Sequence, residues 1–154
     1  MMTNKHIDFT TIREDMSVYE VENGQILKAK QIIVDIVEGE DKKGKFGNLG
    51  FQPVSHVASP SDMDTEGLEL AEVKQVTEQD EVAELKFTVK KQVINIYETD
   101  NAIILVNPKV EKIYSTNKKD KSGMILRFRT GIEVNVVPKN LDGKIKSITT
   151  ATEK

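Results

Sequence analysis

The chain has 154 residues, of which 38% are hydrophobic and 31% charged, and its formal net charge is −3. This composition is typical of a folded, surface-rich domain that buries its own core, and it argues against a disordered chain or a bulk nucleic-acid binder. The absence of Cys excludes disulfides, thiol catalysis and thiolate zinc sites, and two His residues are too few for a histidine-rich metal centre.

The same data suggest a compartment and a domain layout. The first fifteen residues lack the apolar stretch of a signal peptide, and no apolar run approaches the roughly 20 residues of a membrane span. We therefore expect a cytoplasmic protein without a membrane partner. We also expect an N-terminal arm or edge strand over residues 1–14, a single β domain over 15–148 and a frayed tail over 149–154.

The first predicted element is a β-hairpin at Asn23–Gly24. These residues separate two β-prone runs in SVYEVENGQILKAKQIIVDIV. Asn-Gly is typical of a type I′ turn, in which both central residues have positive φ. Two loops follow, EGEDKKGKFGNLG and ASPSDMDTEG, because Gly, Lys, Ser, Pro and Asp dominate them.

The segment 61–85 is acidic, with nine Asp or Glu residues and one Lys. Within it, Leu68–Val76 favours a strand, followed by a turn at EQDE. A short helix is the alternative, because Leu70, Val73 and Val76 are spaced three apart.

Two later stretches alternate clearly between apolar and polar residues. Ala83–Lys91 predicts a strand, and its alternation slips near Lys90–Lys91, which indicates a β-bulge. Met124–Val137 predicts either one long twisted strand or a hairpin that turns at Thr130–Gly131. A short strand over Lys144–Ile148 is expected before the tail. Many strands without long helices predict an all-β fold, an antiparallel β-barrel or β-sandwich with at most one short helix.

A possible internal repeat relates YEVENGQIL (residues 19–27) to YETDNAIIL (residues 97–105). Tyr, Glu, Asn, Ile and Leu recur at the same offsets, and DKKG at 41–44 is echoed by DKSG at 120–123. One interpretation is two duplicated, hairpin-led halves, 15–64 and 83–148, joined by the acidic segment. The other is that unrelated hairpins use the same residue types.

Basic side chains in two Lys-rich loops and on the last strand form the first candidate site. Cations next to an aromatic ring are suited to gripping a single-stranded backbone and stacking a base, as small barrels do. Solvated loops are the alternative. The candidate nucleic-acid-binding residues are Lys42, Lys43, Lys45, Phe46, Lys118, Lys119, Lys121, Arg127 and Arg129.

An acidic loop forms the second candidate site. Asp62, Asp64 and Glu66 occupy positions 1, 3 and 5 of a loop like that of an EF-hand, which suits calcium. Position 12 is Val73 in place of the bidentate Glu, so a solvated acidic loop is the alternative. His56 has serines and an Asp near it in sequence, but a catalytic triad requires oriented contact in space.

No catalytic residue emerges from these patterns. Residues 61–85 are acidic whereas residues 107–154 carry a net positive charge, and long strands leave edges that must be covered. We therefore expect a non-enzymatic assembly or binding subunit that self-associates or binds a protein through complementary charged surfaces. The alternatives are a single-stranded nucleic-acid-binding barrel and a calcium-responsive structural module, calcium being the only cofactor considered.

Overall fold

A computed structural model describes residues 6–37 and 48–139. Within these ranges the chain forms β-strands and two short 3-10 turns, Val73–Gln75 and Glu78–Asp80, and no α-helix. The predicted all-β fold is therefore confirmed. The strands are β1 (Thr10–Arg13), β2 (Ser17–Val21), β3 (Ile26–Val37), β4 (Asn48–Ala58), β5 (Glu69–Leu70), β6 (Glu81–Leu85), β7 (Phe87–Lys91), β8 (Asn95–Glu98), β9 (Ala102–Thr116), β10 (Lys118–Asp120), β11 (Gly123–Met124) and β12 (Arg127–Pro138).

The strands form two main sheets and one small one. Sheet A has the order β4-β3-β2-β7, and sheet B has the order β1-β8-β9-β12, with β6 also paired to β9. The small sheet, β11-β10-β5, contains the parallel pair β10–β5. The main sheets do not close into a barrel, because β4 and β12 each pair with a single strand of the described chain. The arrangement is sandwich-like, and the barrel alternative is wrong.

The two main sheets have equivalent strand pairings. Strands β2, β3 and β4 in sheet A correspond to β8, β9 and β12 in sheet B. The outer strand next to β2 is β7, which precedes β8 in the chain, and the outer strand next to β8 is β1, which precedes β2. Each half of the chain therefore contributes one strand to the sheet of the other half.

The β-bulges recur at equivalent positions. Ile12 is the extra residue where β1 pairs with β8, and Lys90 is the extra residue where β7 pairs with β2. Val34 in β3 and Glu111 in β9 are extra where these strands pair with β4 and β12. The bulge predicted near Lys90–Lys91 is therefore present, and its position is shared by both halves.

Two hydrophobic clusters form the core, and each draws residues from both sheets. The Tyr19 core contains Tyr19, Val21 and Leu27 of sheet A and Val110 and Ile113 of sheet B, with Leu126. The Tyr97 core contains Tyr97, Ile104 and Val106 of sheet B and Ile33 and Ile36 of sheet A. In each, the tyrosine meets a phenylalanine edge to face, Tyr19 with Phe87 at 5.8 Å and Tyr97 with Phe9 at 5.9 Å between ring centroids.

The turn between β2 and β3 differs from the predicted type I′ turn. Gly24 has φ of 93°, but no non-glycine residue of the described chain has positive φ, so Asn23 lacks the conformation that type I′ needs. The amide of Gly24 donates to the carbonyl of Val21, and the amide of Val21 donates to that of Gln25. The Asn23 side chain instead accepts the Gln25 amide at 3.0 Å, which stabilises a turn with a single left-handed glycine.

Other local predictions are corrected. The strand predicted over Leu68–Val76 is reduced to β5, because the side chains of Glu72 and Gln75 form a capping box around a 3-10 turn. Thr130–Gly131 forms no hairpin, since β12 continues through it paired with β9. The strand expected at Lys144–Ile148 and the tail at 149–154 lie outside the described residues.

Candidate functional site

Lys118 and Lys119, which were predicted to lie in a loop, belong to strand β10, and both contact the acidic segment of the same chain. The Lys118 ammonium lies 2.8 Å from a Glu69 carboxylate oxygen, and this hydrogen bond raises the pKa of Lys118. The Lys119 ammonium donates to the Thr65 carbonyl oxygen at 3.2 Å. Lys121 has no carboxylate of the described chain within ion-pair distance. Most of the positive charge of residues 118–121 is therefore used within the molecule.

The two arginines of β12 are held in the same way. Arg127 Nε lies 2.9 Å from Glu81 Oε2, and its Nη1 donates to the Val76 carbonyl at 3.2 Å. Arg129 lies 3.5 Å from Glu78 and stacks over the Tyr114 ring at 5.2 Å from the centroid. The acidic segment and the basic strands, which are far apart in sequence, thus compensate each other's charge. Lys42, Lys43, Lys45 and Phe46 lie outside the described residues.

The acidic candidates do not converge. Asp64 Oδ1 accepts the Glu66 amide at 3.0 Å, and Gly67 follows with φ of 83°, which together form a local turn. In residues 6–37 and 48–139, no three His, Asp or Glu side chains are grouped as metal ligands would be. Asp62, the first position of the predicted calcium loop, therefore belongs to no such group either.

Two adjoining grooves lie beside the small sheet, and one of them also borders β4. One, of about 240 Å³, is lined by His56 of β4 together with Asp120 and Ser122. The other, of about 590 Å³, is lined by Leu70, Val73 and the same Asp120 and Ser122. No hydrogen bond connects His56 to these side chains among the described residues, so the grooves contain no oriented triad.

Each buried tyrosine belongs to a polar network, and the two networks differ in charge. The Tyr97 hydroxyl donates to Glu14 at 2.5 Å, and Glu14 lies 3.6 Å from Lys30. Burial, followed by this hydrogen bond, raises the pKa of Tyr97. The Tyr19 hydroxyl donates weakly to Gln92 at 3.4 Å, and Gln92 donates to Asn107 at 2.8 Å. Gln92 and Asn107 are the equivalents of Glu14 and Lys30, so one network is charged and the other neutral.

A reciprocal pair of hydrogen bonds joins the halves. The Asp15 amide donates to the buried Asn95 side chain at 2.9 Å, and the Val93 amide donates to the buried Ser17 hydroxyl at 2.9 Å. Sequence reasoning missed these residues. The signal that could have found them is the offset of 78 residues between Tyr19 and Tyr97, which also relates Ser17 to Asn95.

Within residues 6–37 and 48–139, the long outer strands β4 and β12 each have one edge whose backbone groups pair with no other strand. In β9, the Pro108 carbonyl accepts a hydrogen bond from Gln92, and the Ala102 carbonyl accepts one from Thr99. The backbone N–H and C=O groups of even-numbered residues in β9 therefore point toward β8, and those of odd-numbered residues point toward β12. The residues opposite them in β12 include Ile132 and Val134, whose N–H and C=O groups therefore point out of the open edge. Half-exposed apolar side chains lie along this edge, Ile132 at 41% and Val136 at 39% exposure.

One difference between the two equivalent edges affects their capacity to form hydrogen bonds. Pro53 of β4 lies opposite Gln31, and Ile132 of β12 lies opposite Pro108, the equivalent of Gln31. Pro53 therefore occupies, in β4, the place of Ile132 in β12. Proline has no N–H, so β4 lacks an outward donor that β12 retains. The open edge of β12 is the candidate interaction site, and sequence reasoning located the strand but not its free edge.

Comparisons with known proteins found no matching family model, curated protein or solved structure. In the part of the chain that the structure describes, no helix is long and apolar enough to cross a membrane.

Proposed function

We propose that this chain is a non-enzymatic β-sandwich module that acts as an assembly or binding subunit. The observation that supports this most strongly is the open edge of β12, a strand of twelve residues with one strand partner in the described chain. Unpaired edges are templates for pairing with another chain, and proteins usually blunt them. Partly exposed Ile132 and Val136 add apolar area that a partner would cover.

Complementary charge remains part of the proposal, but at a different place. The acidic segment and the basic strands contact each other within the chain, which leaves less of their charge for a partner. The exposed edge of β12 carries both Arg129 and Glu133. Contacts between subunits are therefore expected along this strand.

Sedimentation velocity across the micromolar range at low salt tests the proposed function. We expect association that increases with protein concentration, because edge-strand pairing is a bimolecular step. A chain that stays monomeric throughout this range would remove the support for an assembly subunit.

The two alternatives have less support and are tested separately. Four of the five described basic candidates contact groups of the same chain, so a single-stranded nucleic acid would have to displace these contacts. An electrophoretic shift that weakens steeply with salt would favour nucleic-acid binding. A melting temperature that rises with calcium but not with magnesium would favour a calcium-responsive module.

A further inference from the structure

We propose that the partner at the open edge of β12 is a second copy of this chain. The two β12 strands pair antiparallel about Gly131, so that Arg129 of each copy lies opposite Glu133 of the other. This inference rests on the proposed assembly function and specifies its partner, its surface and its register.

The backbone restricts the register. The outward N–H and C=O groups belong to even-numbered residues of β12, such as Ile132 and Val134. Two antiparallel copies can exchange hydrogen bonds only when even-numbered residues lie opposite each other. The two-fold axis that relates the two β12 strands must therefore pass through a residue and not between two residues. With Gly131 on the axis, Thr130 lies opposite Ile132 and Phe128 opposite Val134.

Charge selects the residue on the axis. In the stretch Phe128–Val134, the opposite charges of Arg129 and Glu133 are placed symmetrically about Gly131. Directly opposed unlike charges stabilise a strand pair. If the axis passed through Ile132, Arg129 would face an asparagine. If it passed through Thr130, Glu133 would face Arg127, which is already bound to Glu81 at 2.9 Å.

The side chains involved are available. Arg129 is half exposed and lies 3.5 Å from Glu78, which is 75% exposed. Glu133 is exposed and lies 3.4 Å from Lys109. Exposed ion pairs of this kind contribute little to stability, so exchanging them for contacts with the second copy costs little.

The other edges of the main sheets suit this pairing less well. Strands β1 and β7 have four and five residues, and β7 ends in two lysines, which discourage pairing. The equivalent edge of β4 is interrupted by Pro53, and β4 has no two oppositely charged residues placed symmetrically about its centre. Among the described strands, β12 combines length, outward donors and self-complementary charge.

Charge reversal tests the partner and the register together. The variants Arg129→Glu and Glu133→Arg each place like charges opposite one another, and we expect each to weaken self-association at least tenfold. An equimolar mixture of the two variants restores both unlike pairs in a heterodimer, so association should return. Because the mixture contains only the two variants, its recovery shows that loss of association in each alone is not a failure to fold.

Cysteine cross-linking provides a second readout, since the chain contains no Cys. Gly131→Cys places two thiols opposite each other at the axis, where a disulfide between copies should form rapidly under mild oxidation. Gln52→Cys, at the equivalent place on β4, is the matched control and should cross-link much more slowly.

The outcomes separate this inference from the proposed function. Loss in each single variant, recovery in the mixture and selective cross-linking at residue 131 support the β12 pair. A wild-type chain that self-associates, but whose association is unchanged by Arg129→Glu and not restored specifically by mixing, overturns the β12 pair while the assembly function stands. A strictly monomeric wild-type chain contradicts the β12 pair and also removes the support for an assembly subunit.

Discussion

At the residue scale, the two equivalent tyrosines offer a matched pair. Tyr97 donates to the Glu14 carboxylate at 2.5 Å, whereas Tyr19 is 3.4 Å from the neutral Gln92. Hydrogen bonds to charged groups contribute about 1.5–3 kcal/mol, and neutral ones about 1 kcal/mol. We expect Tyr97→Phe to lower the free energy of unfolding in urea by more than Tyr19→Phe. Equal losses would show that the Glu14 contact adds nothing.

The same tyrosine predicts sensitivity to alkali. Burial and Glu14 raise the pKa of Tyr97 above its ordinary value of about 10. Above that pH the unfolded chain releases the proton while the folded chain keeps it, so stability falls as pH rises. Between about pH 9 and 11, the unfolding free energy of Tyr97→Phe should therefore fall less steeply with pH than that of the wild-type chain. The loss that remains belongs to other groups, including Lys118, whose pKa is also raised. An unchanged slope in Tyr97→Phe would contradict this assignment.

At the element scale, ion pairs of unequal burial hold the acidic segment against β12. Glu81 is 13% exposed and 2.9 Å from Arg127, whereas Glu78 is 75% exposed and 3.5 Å from Arg129. We expect Glu81→Gln to lower the free energy of unfolding by about 1–2 kcal/mol, because it leaves a partly buried guanidinium without its carboxylate. Glu78→Gln should cost less than about 0.5 kcal/mol. Thermal or urea unfolding of both variants measures the difference, and a larger loss for Glu78→Gln would contradict it.

Individual elements were predictable where the pattern is local. The alternation of Met124–Val137 identifies most of β12, and the slip near Lys90 identifies a bulge, because side-chain direction is encoded residue by residue. The turn at Gly24 was located but its type was wrong, since the Asn23 side chain bonds the backbone and favours another conformation. The ion pairs could not be predicted, because Glu81 and Arg127 meet only through the strand order.

At the scale of the whole molecule, the similarity of the two stretches was visible in sequence, but the exchange of strands β1 and β7 between the two sheets was not. Tyr19 and Tyr97 are equivalent, yet Tyr19 pairs with Leu27 and Tyr97 with Ile104, because the second turn is one residue shorter. The matching Ile and Leu letters of the two sequence stretches are therefore not equivalent in space. Pairing of β1 with β8 and of β7 with β2 involves residues distant in sequence, so no local pattern reports it.

This exchange predicts that the two halves unfold together. Each hydrophobic core contains residues of both sheets, and the amides of Asp15 and Val93 donate across to the opposite half. The chain has no Trp, so Phe9→Trp and Phe87→Trp would each report one core from an equivalent, edge-to-face position beside a buried tyrosine. In each variant, we expect the urea transition followed by Trp fluorescence to have the same midpoint and slope as the transition followed by circular dichroism. Such agreement is the mark of two-state unfolding. Separate transitions in the two variants would mean that each sheet is stable without the strand it receives, and the exchanged strands β1 and β7 would then be attachments to two independent halves.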